Sequence, residues 1–462
     1  MSPGEDPRPF SVALICFEPD YGHLQPLLKI ADALAEANFH VKCYLANECA
    51  PLMSRFQFEF ALFDNANLSE HKRVVVKLFT RGLFINRLCS YLHYLLYYAN
   101  VFDVAARAAP TLRRHLTDQR PDVIICDRQR VGEWCSRIAA FFNVPLIINN
   151  PDGSLVYNQR VIVQIWGITA MPEALQRSIE LAAAAFEKLC RVYCRIRYMP
   201  TWLKVRTAKH ACARAFETAF PVESQGLLPV HRILVGTAAL ERERIGLIRK
   251  DGAYWREFYP IRFRSSVQIS PGLREWIRSA GDRPIVFVSF GSAVQIDRKF
   301  GTAIYEGLRR LPALIVWSLP ENQRGLLASL SVAENIRIES FVSQAEILDL
   351  PAVRCFITQG GQSSIQESLV GGTPMLCIPF FADQGYNSSI VEHLQVGRRL
   401  WRYQVSSEAI RTAVEEILTN SKYLKISLKI KDELQRKEGG KALTRYVADI
   451  IQSSRMDKTL MT

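Results

Sequence analysis

The chain has 462 residues, too many for one ordinary core, so two domains are the simplest division. Hydrophobic residues make up 48% and charged residues 22%, the balance of a packed globular protein, which excludes a disordered chain and a fibrous repeat. The net charge of +13 favours anionic partners, yet the densest basic stretch, Arg242 to Arg264, is interleaved with Glu241, Glu243, Asp251 and Glu257. A solvated connector is therefore favoured there over a nucleic-acid surface.

The start, Met1 to Pro9, carries Glu5 and Asp6 where a secretory signal would have a basic and then an apolar run, so export by that route is not expected. The first elements are a strand at Ser11 to Cys16, a helix from about Leu24 to Ala37 and a strand at His40 to Leu45. On the helix Leu24, Leu27, Leu28, Ala31 and Leu34 repeat at helical spacing, while Lys29, Asp32 and Glu36 take the other face. A βαβ unit implies a parallel sheet covered by helices. Leu88 to Phe102 is apolar but too short to cross a bilayer and holds His93 and Asn100, which predicts a buried amphipathic helix and leaves only a peripheral membrane contact open.

Alternation resumes with a strand at Asp122 to Cys126 ending in Asp127, a helix at Val131 to Phe142 and a strand at Val144 to Ile148. A helical insertion, Met171 to Ala219, follows. Charges, Gly246, Gly252, Pro260 and Pro271 then break the periodicity. This places an N-terminal domain at 1–245, a linker at 246–270, a C-terminal domain at 271–435 and a helix at 436–462 returning to the first domain. Strands of the second domain are predicted at Ile285 to Ser289, Leu314 to Trp317, Ile336 to Glu339, Cys355 to Thr358 and Met375 to Ile378, and a last helix over Lys425 to Gln452. The fold class is α/β, two doubly wound domains facing a cleft, with ligands at the carboxyl ends of strands. Eleven cysteines lack disulfide or zinc spacing, and no clustered-ligand motif is present, so they read as reduced core thiols of a cytoplasmic protein without a metal.

Two stretches carry chemistry. Between Phe341 and Gln384 the chain reads Phe-Val-Ser-Gln-Ala-Glu-Ile-Leu, then Cys-Phe-Ile-Thr-Gln-Gly-Gly-Gln-Ser-Ser-Ile-Gln-Glu-Ser, then Gly-Gly-Thr-Pro-Met and Ile-Pro-Phe-Phe-Ala-Asp-Gln. A strand ending in Gln359, Gly360 and Gly361, followed by a helix near Ser363 and Ser364, offers free N–H groups and a helix dipole to a phosphate, although geometry alone fits an ordinary tight turn equally. Glu367, one turn in, is placed to accept hydrogen bonds from ribose hydroxyls. The second stretch is Gly22-His23-Leu24-Gln25-Pro26, which puts His23 at the carboxyl end of the first strand and the start of a helix. A histidine there is ordinarily structural, but the mouth of the sheet favours a functional one.

The first stretch resembles the signature of the UDP-glycosyltransferase superfamily, inverting enzymes of the GT-B fold, in its animal-type form. Leu273 to Trp276 and Glu438-Gly439-Gly440 resemble further family segments. The resemblance implies that Phe341 replaces a Trp stacked on uracil, that Gln344 contacts the base edge, and that Ser292 in Ser-Phe-Gly-Ser contacts phosphate. It implies Glu367 as the ribose ligand and Asp383 with Gln384 as ligands of the donor sugar, positions that also suit an N-cap of the next helix. It places the catalytic base at His23, as imidazole titrates near neutrality, and its partner at Asp127, with a loop or cap carboxylate as the alternative.

Two positions depart from the family: Gln359 stands for His and Ser363 for Asn. Gln359 still donates a hydrogen bond but carries no charge, which weakens stabilisation of the leaving diphosphate. The resemblance thus implies transfer of a hexosyl group from a UDP-sugar co-substrate, with no cofactor, to a small lipophilic or aromatic acceptor. The departures keep a non-catalytic nucleotide-sugar binding protein as the alternative. Neither the sugar, the acceptor nor the oligomeric state is encoded in a motif.

Overall fold

The computed structural model describes residues 9–17, 21–50, 56, 58–63, 84–127, 132–150, 199–222, 230–237, 240, 255–261, 268–279, 281–291, 294–328, 333–380 and 383–461, with 21–23, 48, 84–98, 132–133, 199–202, 457 and 459–461 as backbone. Two parallel sheets organise them. The first contains β1 (Ser11–Cys16), β2 (His40–Ala46), β3 (Glu59–Phe63), β4 (Val123–Asp127), β5 (Leu146–Asn149), β6 (Val230–Val235) and β7 (Arg256–Phe258). The second contains β8 (Ile285–Ser289), β9 (Leu314–Ser318), β10 (Ile336–Glu339), β11 (Val353–Thr358), β12 (Met375–Cys377) and β13 (Gly397–Arg399). Strands such as Ser-Val-Ala-Leu-Ile-Cys are apolar nearly throughout because helices cover both faces of a parallel sheet.

The strand orders are β3-β2-β1-β4-β5-β6-β7 and β10-β9-β8-β11-β12-β13. Each order reverses once, between β1 and β4 in one sheet and between β8 and β11 in the other, and such switch points open a crevice at the carboxyl ends of the strands.

Helices α1 (Tyr21–Glu36), α2 (Phe84–Asp118), α3 (Gly132–Phe142) and α4 (Met199–Ala219) flank the first sheet. Alternation sorts each strand between two layers. Ile124 and Cys126 of β4 pack with Phe102, Trp134 and Phe216 of α2, α3 and α4. Val123 and Ile125 pack with Leu24, Leu27, Leu28 and Leu34 of α1. The second sheet is covered by α5 (Pro271–Ser279), α6 (Arg298–Leu308), α7 (Glu321–Arg324), α8 (Gln344–Leu348), α9 (Gln362–Gly371), α10 (Gln384–His393), α11 (Ser407–Thr419) and α12 (Ser421–Lys437). The last helix, α13 (Gly439–Met461), buries Leu443, Val447, Ile450 and Ile451 in the α1 layer of the first domain.

Three readings of the sequence change. The stretch read as a linker at 246–270 contributes β7 to the first sheet. Arg-Glu-Phe is too short and too charged to announce a strand. The single helix expected over Lys425 to Gln452 is two, broken at Glu438, which takes φ 45°. There the backbone turns tightly against Tyr259, whose carbonyl oxygen would lie 2.5 Å from any Cβ on Gly439. Asp122, expected to open a strand, precedes β4 and ties the sheet edge together, accepting from Ser11 N–H at 2.8 Å and from Arg455 at 2.7 Å. Of the insertion read at Met171 to Ala219, only Met199–Ala219 lies within the described residues. Among the described residues no helix is long and apolar enough to cross a membrane.

Candidate active site

The candidate nucleotide side lies at the β8/β11 switch point. Strand β11 is buried except at Arg354 and ends in Gln359 and Gly360. Gly360 takes φ +81°, and a Cβ there would stand 2.6 Å from Ser388 Oγ, so only glycine lets the turn lie against α10. Gly361 then occupies the N-cap of α9 in extended conformation with no side-chain cap. The first intrahelical bond runs from Ile365 N–H to Gly361 O at 3.0 Å, which leaves the N–H groups of residues 361–364 directed out of the helix start. Such a helix start is suited to an anion, and Ser363 and Ser364 lie in its first turn.

Side chains from neighbouring elements fix this turn. Asn387 of α10 donates to Gly360 O at 3.1 Å and to Asp383 Oδ2 at 2.7 Å, so Asp383 is braced by Asn387 although it stands at the α10 N-cap position without a cap bond. Gln384 accepts from Phe380 N–H at 2.9 Å. Gln359 accepts from Thr358 Oγ1 at 2.9 Å and lays its amide nitrogen over the two glycine turns, 2.6 Å from where a Cβ on Gly291 would be and 3.0 Å from one on Gly361. Ser292, one residue beyond Gly291, lies outside the described residues. Phe341 is 50% exposed. Asn387 escaped the sequence reading; its i+4 spacing from Asp383 on one helix face was the available signal.

Glu367 is buried, and the structure surrounds it with donors. Gln344 donates to Oε2 at 2.8 Å and lies 3.3 Å from Ser364 Oγ, which joins three of the expected donor-binding residues in one cluster. The other partners come from the first domain: Gln25 donates to Oε1 at 2.7 Å, and Lys29 forms an ion pair with the same oxygen at 3.1 Å. Lys29 was read as part of the solvent face of α1; it is 2% exposed, because that face docks on α9. A second bridge runs from Gln362 to Thr237 Oγ1 at 3.0 Å.

The opposite wall is the β1/β4 switch point. His23 lies in the first turn of α1, and its side chain is outside the described residues. Asp127 ends β4, is buried and, by alternation with Val123 and Ile125, sits on the sheet face that α1 covers. Asn149 is its register partner on β5. The preceding Cys126 keeps its proton, since a hydrogen bond with Cys135, burial and the Asp127 charge all push its thiol up. The wall thus presents a carboxylate and the start of a histidine-bearing helix on one face of the sheet.

The family model described as UDP-glucoronosyl and UDP-glucosyl transferase matches residues 263–437. UDP-glucuronosyltransferase 3A1 of Xenopus laevis is 27% identical over 157 residues, 34% of this chain and 30% of the relative. Flavonol 3-O-glucosyltransferase F3GT2 of Actinidia chinensis var. chinensis is 30% identical over 156 residues, 33% of this chain and 34% of the relative. The matched stretch therefore spans only about a third of these curated relatives. Among solved structures, Os79 from O. sativa in complex with UDP aligns with a TM-score of 0.65 at 17% identity, over 95% of this chain and 100% of that one. SnogD from Streptomyces nogalater aligns with a TM-score of 0.61 at 15% identity, over 96% and 99%. Such likeness establishes the GT-B fold. The family match thus takes in the signature at one switch point, within residues 263–437, while the GT-B fold extends along nearly the whole chain.

Proposed function

We propose that the protein is an inverting glycosyltransferase that moves a hexosyl group from a UDP-sugar to a hydroxyl of a small lipophilic acceptor. The observation that supports this best is the pairing of the two switch points, an anion-binding helix start in one domain and the His23 helix beside buried Asp127 in the other, joined through Glu367. In this reading the acceptor oxygen attacks the anomeric carbon while His23 takes its proton, and the bond to the diphosphate breaks on the opposite face. Asp127 orients the imidazole and stabilises the imidazolium. The N–H groups at the start of α9 and the Gln359 amide receive the charge that develops on the leaving UDP. Phe341 stacks on the base, Ser292 contacts phosphate, and Asp383 and Gln384 hold the sugar hydroxyls. No cofactor is required. An aromatic acceptor agrees with the printed name of the flavonol glucosyltransferase relative. The scattered cysteines, buried where they are described, favour a reducing compartment, so we place the activity in the cytoplasm.

Incubation with a panel of UDP-sugars and apolar alcohols or phenols, followed by acceptor mass, tests the reading. His23→Ala is expected to lower transfer at least ~100-fold while UDP still binds; wild-type turnover by the variant removes His23 as the base. A second reading, nucleotide-sugar binding without catalysis, is favoured by Gln359 and Ser363 standing where the family resemblance expects His and Asn. It predicts that UDP binds and no pair of substrates turns over.

A further inference from the structure

We propose that Lys29 and Gln25 latch the nucleotide site: they hold the Glu367 carboxylate in the nucleotide-free protein, and the ribose diol of the donor takes their place. This rests on the donor reading above, in which Glu367 is the ribose ligand. An ionised carboxylate offers about four acceptor positions. Three donors already approach this one, Gln344 at Oε2 and both Gln25 and Lys29 at Oε1. A vicinal diol bound in bidentate fashion needs a position on each oxygen, so at Oε1 it competes with the two groups from α1.

The contacts form a sealed joint. Glu367, Gln25 and Lys29 are all at most 7% exposed and touch directly, so exchange requires the two side chains to withdraw. Gln25 and Lys29 are four residues apart and therefore project from one face of α1, which lets a single shift of that helix release both. Gln344 belongs to the same domain as Glu367 and can keep Oε2 throughout. The displaced ammonium is not left uncompensated, because the nucleotide brings its own diphosphate charge. A binding-competent state that is only fractionally populated lowers the apparent affinity by that fraction. The latch therefore reports the nucleotide to the helix that carries His23.

Calorimetric titration of the full chain with UDP and with 2′,3′-dideoxy-UDP tests this. Lys29→Met and Gln25→Ala are each expected to bind UDP about five- to tenfold more tightly than the wild type. Lys29→Arg, which keeps the cation, is expected to behave as wild type, and all four proteins should bind the dideoxy nucleotide alike. Gln25→Ala retains the Lys29 charge and stays readable should Lys29→Met misfold. Unchanged or weaker UDP binding by either folded variant overturns the latch, as does an equal gain for the dideoxy nucleotide. Absence of UDP binding by every protein, wild type included, overturns the donor reading and the latch with it.

Discussion

Gln359 concentrates the question of catalytic power in one side chain. Its oxygen is held by Thr358 Oγ1, and its nitrogen faces the glycine turns at 291 and 361, where a diphosphate would approach the backbone. It can offer a hydrogen bond at that place but no charge. A preorganised donor at a developing anion is worth about 2.7–4 kcal/mol, and charge on the donor roughly doubles the strength of its hydrogen bond. Gln359→His is therefore expected to raise turnover at least tenfold, with UDP affinity little changed, as measured by initial rates and calorimetry. Unchanged turnover would mean that departure of UDP is not limited at this position. Glu367 could be singled out in the sequence, because the motif names it. Its tie to Lys29 was not, because the two residues lie far apart in the chain and a lysine opposite a leucine stripe is ordinarily solvated.

At the level of single elements, the strand–turn–helix from Val353 to Gly371 was readable because each part obeys a local rule: an apolar strand, two glycines, a polar helix start. What local rules omit is the support from α10, where Ser388 Oγ bonds Gln384 O at 2.6 Å and crowds Gly360 while Asn387 holds its carbonyl. Gly360→Ala would place a methyl against Ser388 in a left-handed conformation that costs roughly 1–2 kcal/mol for an L-residue. The variant is expected to lose about that much stability in denaturant titration and to bind UDP at least tenfold more weakly, since the N–H groups of α9 would be re-aimed. Retained affinity would argue that the anion is held elsewhere. Among the strands that escaped prediction, β3, β6, β7 and β13, the last two share a cause. Each has three residues, Arg-Glu-Phe and Gly-Arg-Arg, and takes its place from the strand beside it rather than from any apolar pattern of its own.

Across the whole molecule, the chain folds the first domain, then the second, and returns. The family match ends at residue 437, beside the break at Glu438 after which α13 crosses back to the first domain. There Arg455 holds Asp122, and Leu443, Val447, Ile450 and Ile451 fill the layer built by α1. The helix that carries His23, Gln25 and Lys29 is therefore packed between its own sheet and the last helix of the chain. Leu443 is fully buried in that layer, so Leu443→Ala removes both transfer energy and packing, a loss of about 2–5 kcal/mol for a core leucine. For a domain of this size each kcal/mol shifts the melting temperature by about 2–4 °C, which predicts a first-domain transition lowered by roughly 5–15 °C in calorimetry. Because residue 443 touches no donor-binding group, UDP affinity well below that transition should stay within about twofold of wild type. An unchanged melt would instead mean that α13 is peripheral to the first domain, and that the position of α1 is set by its own sheet and the contacts at Glu367 alone.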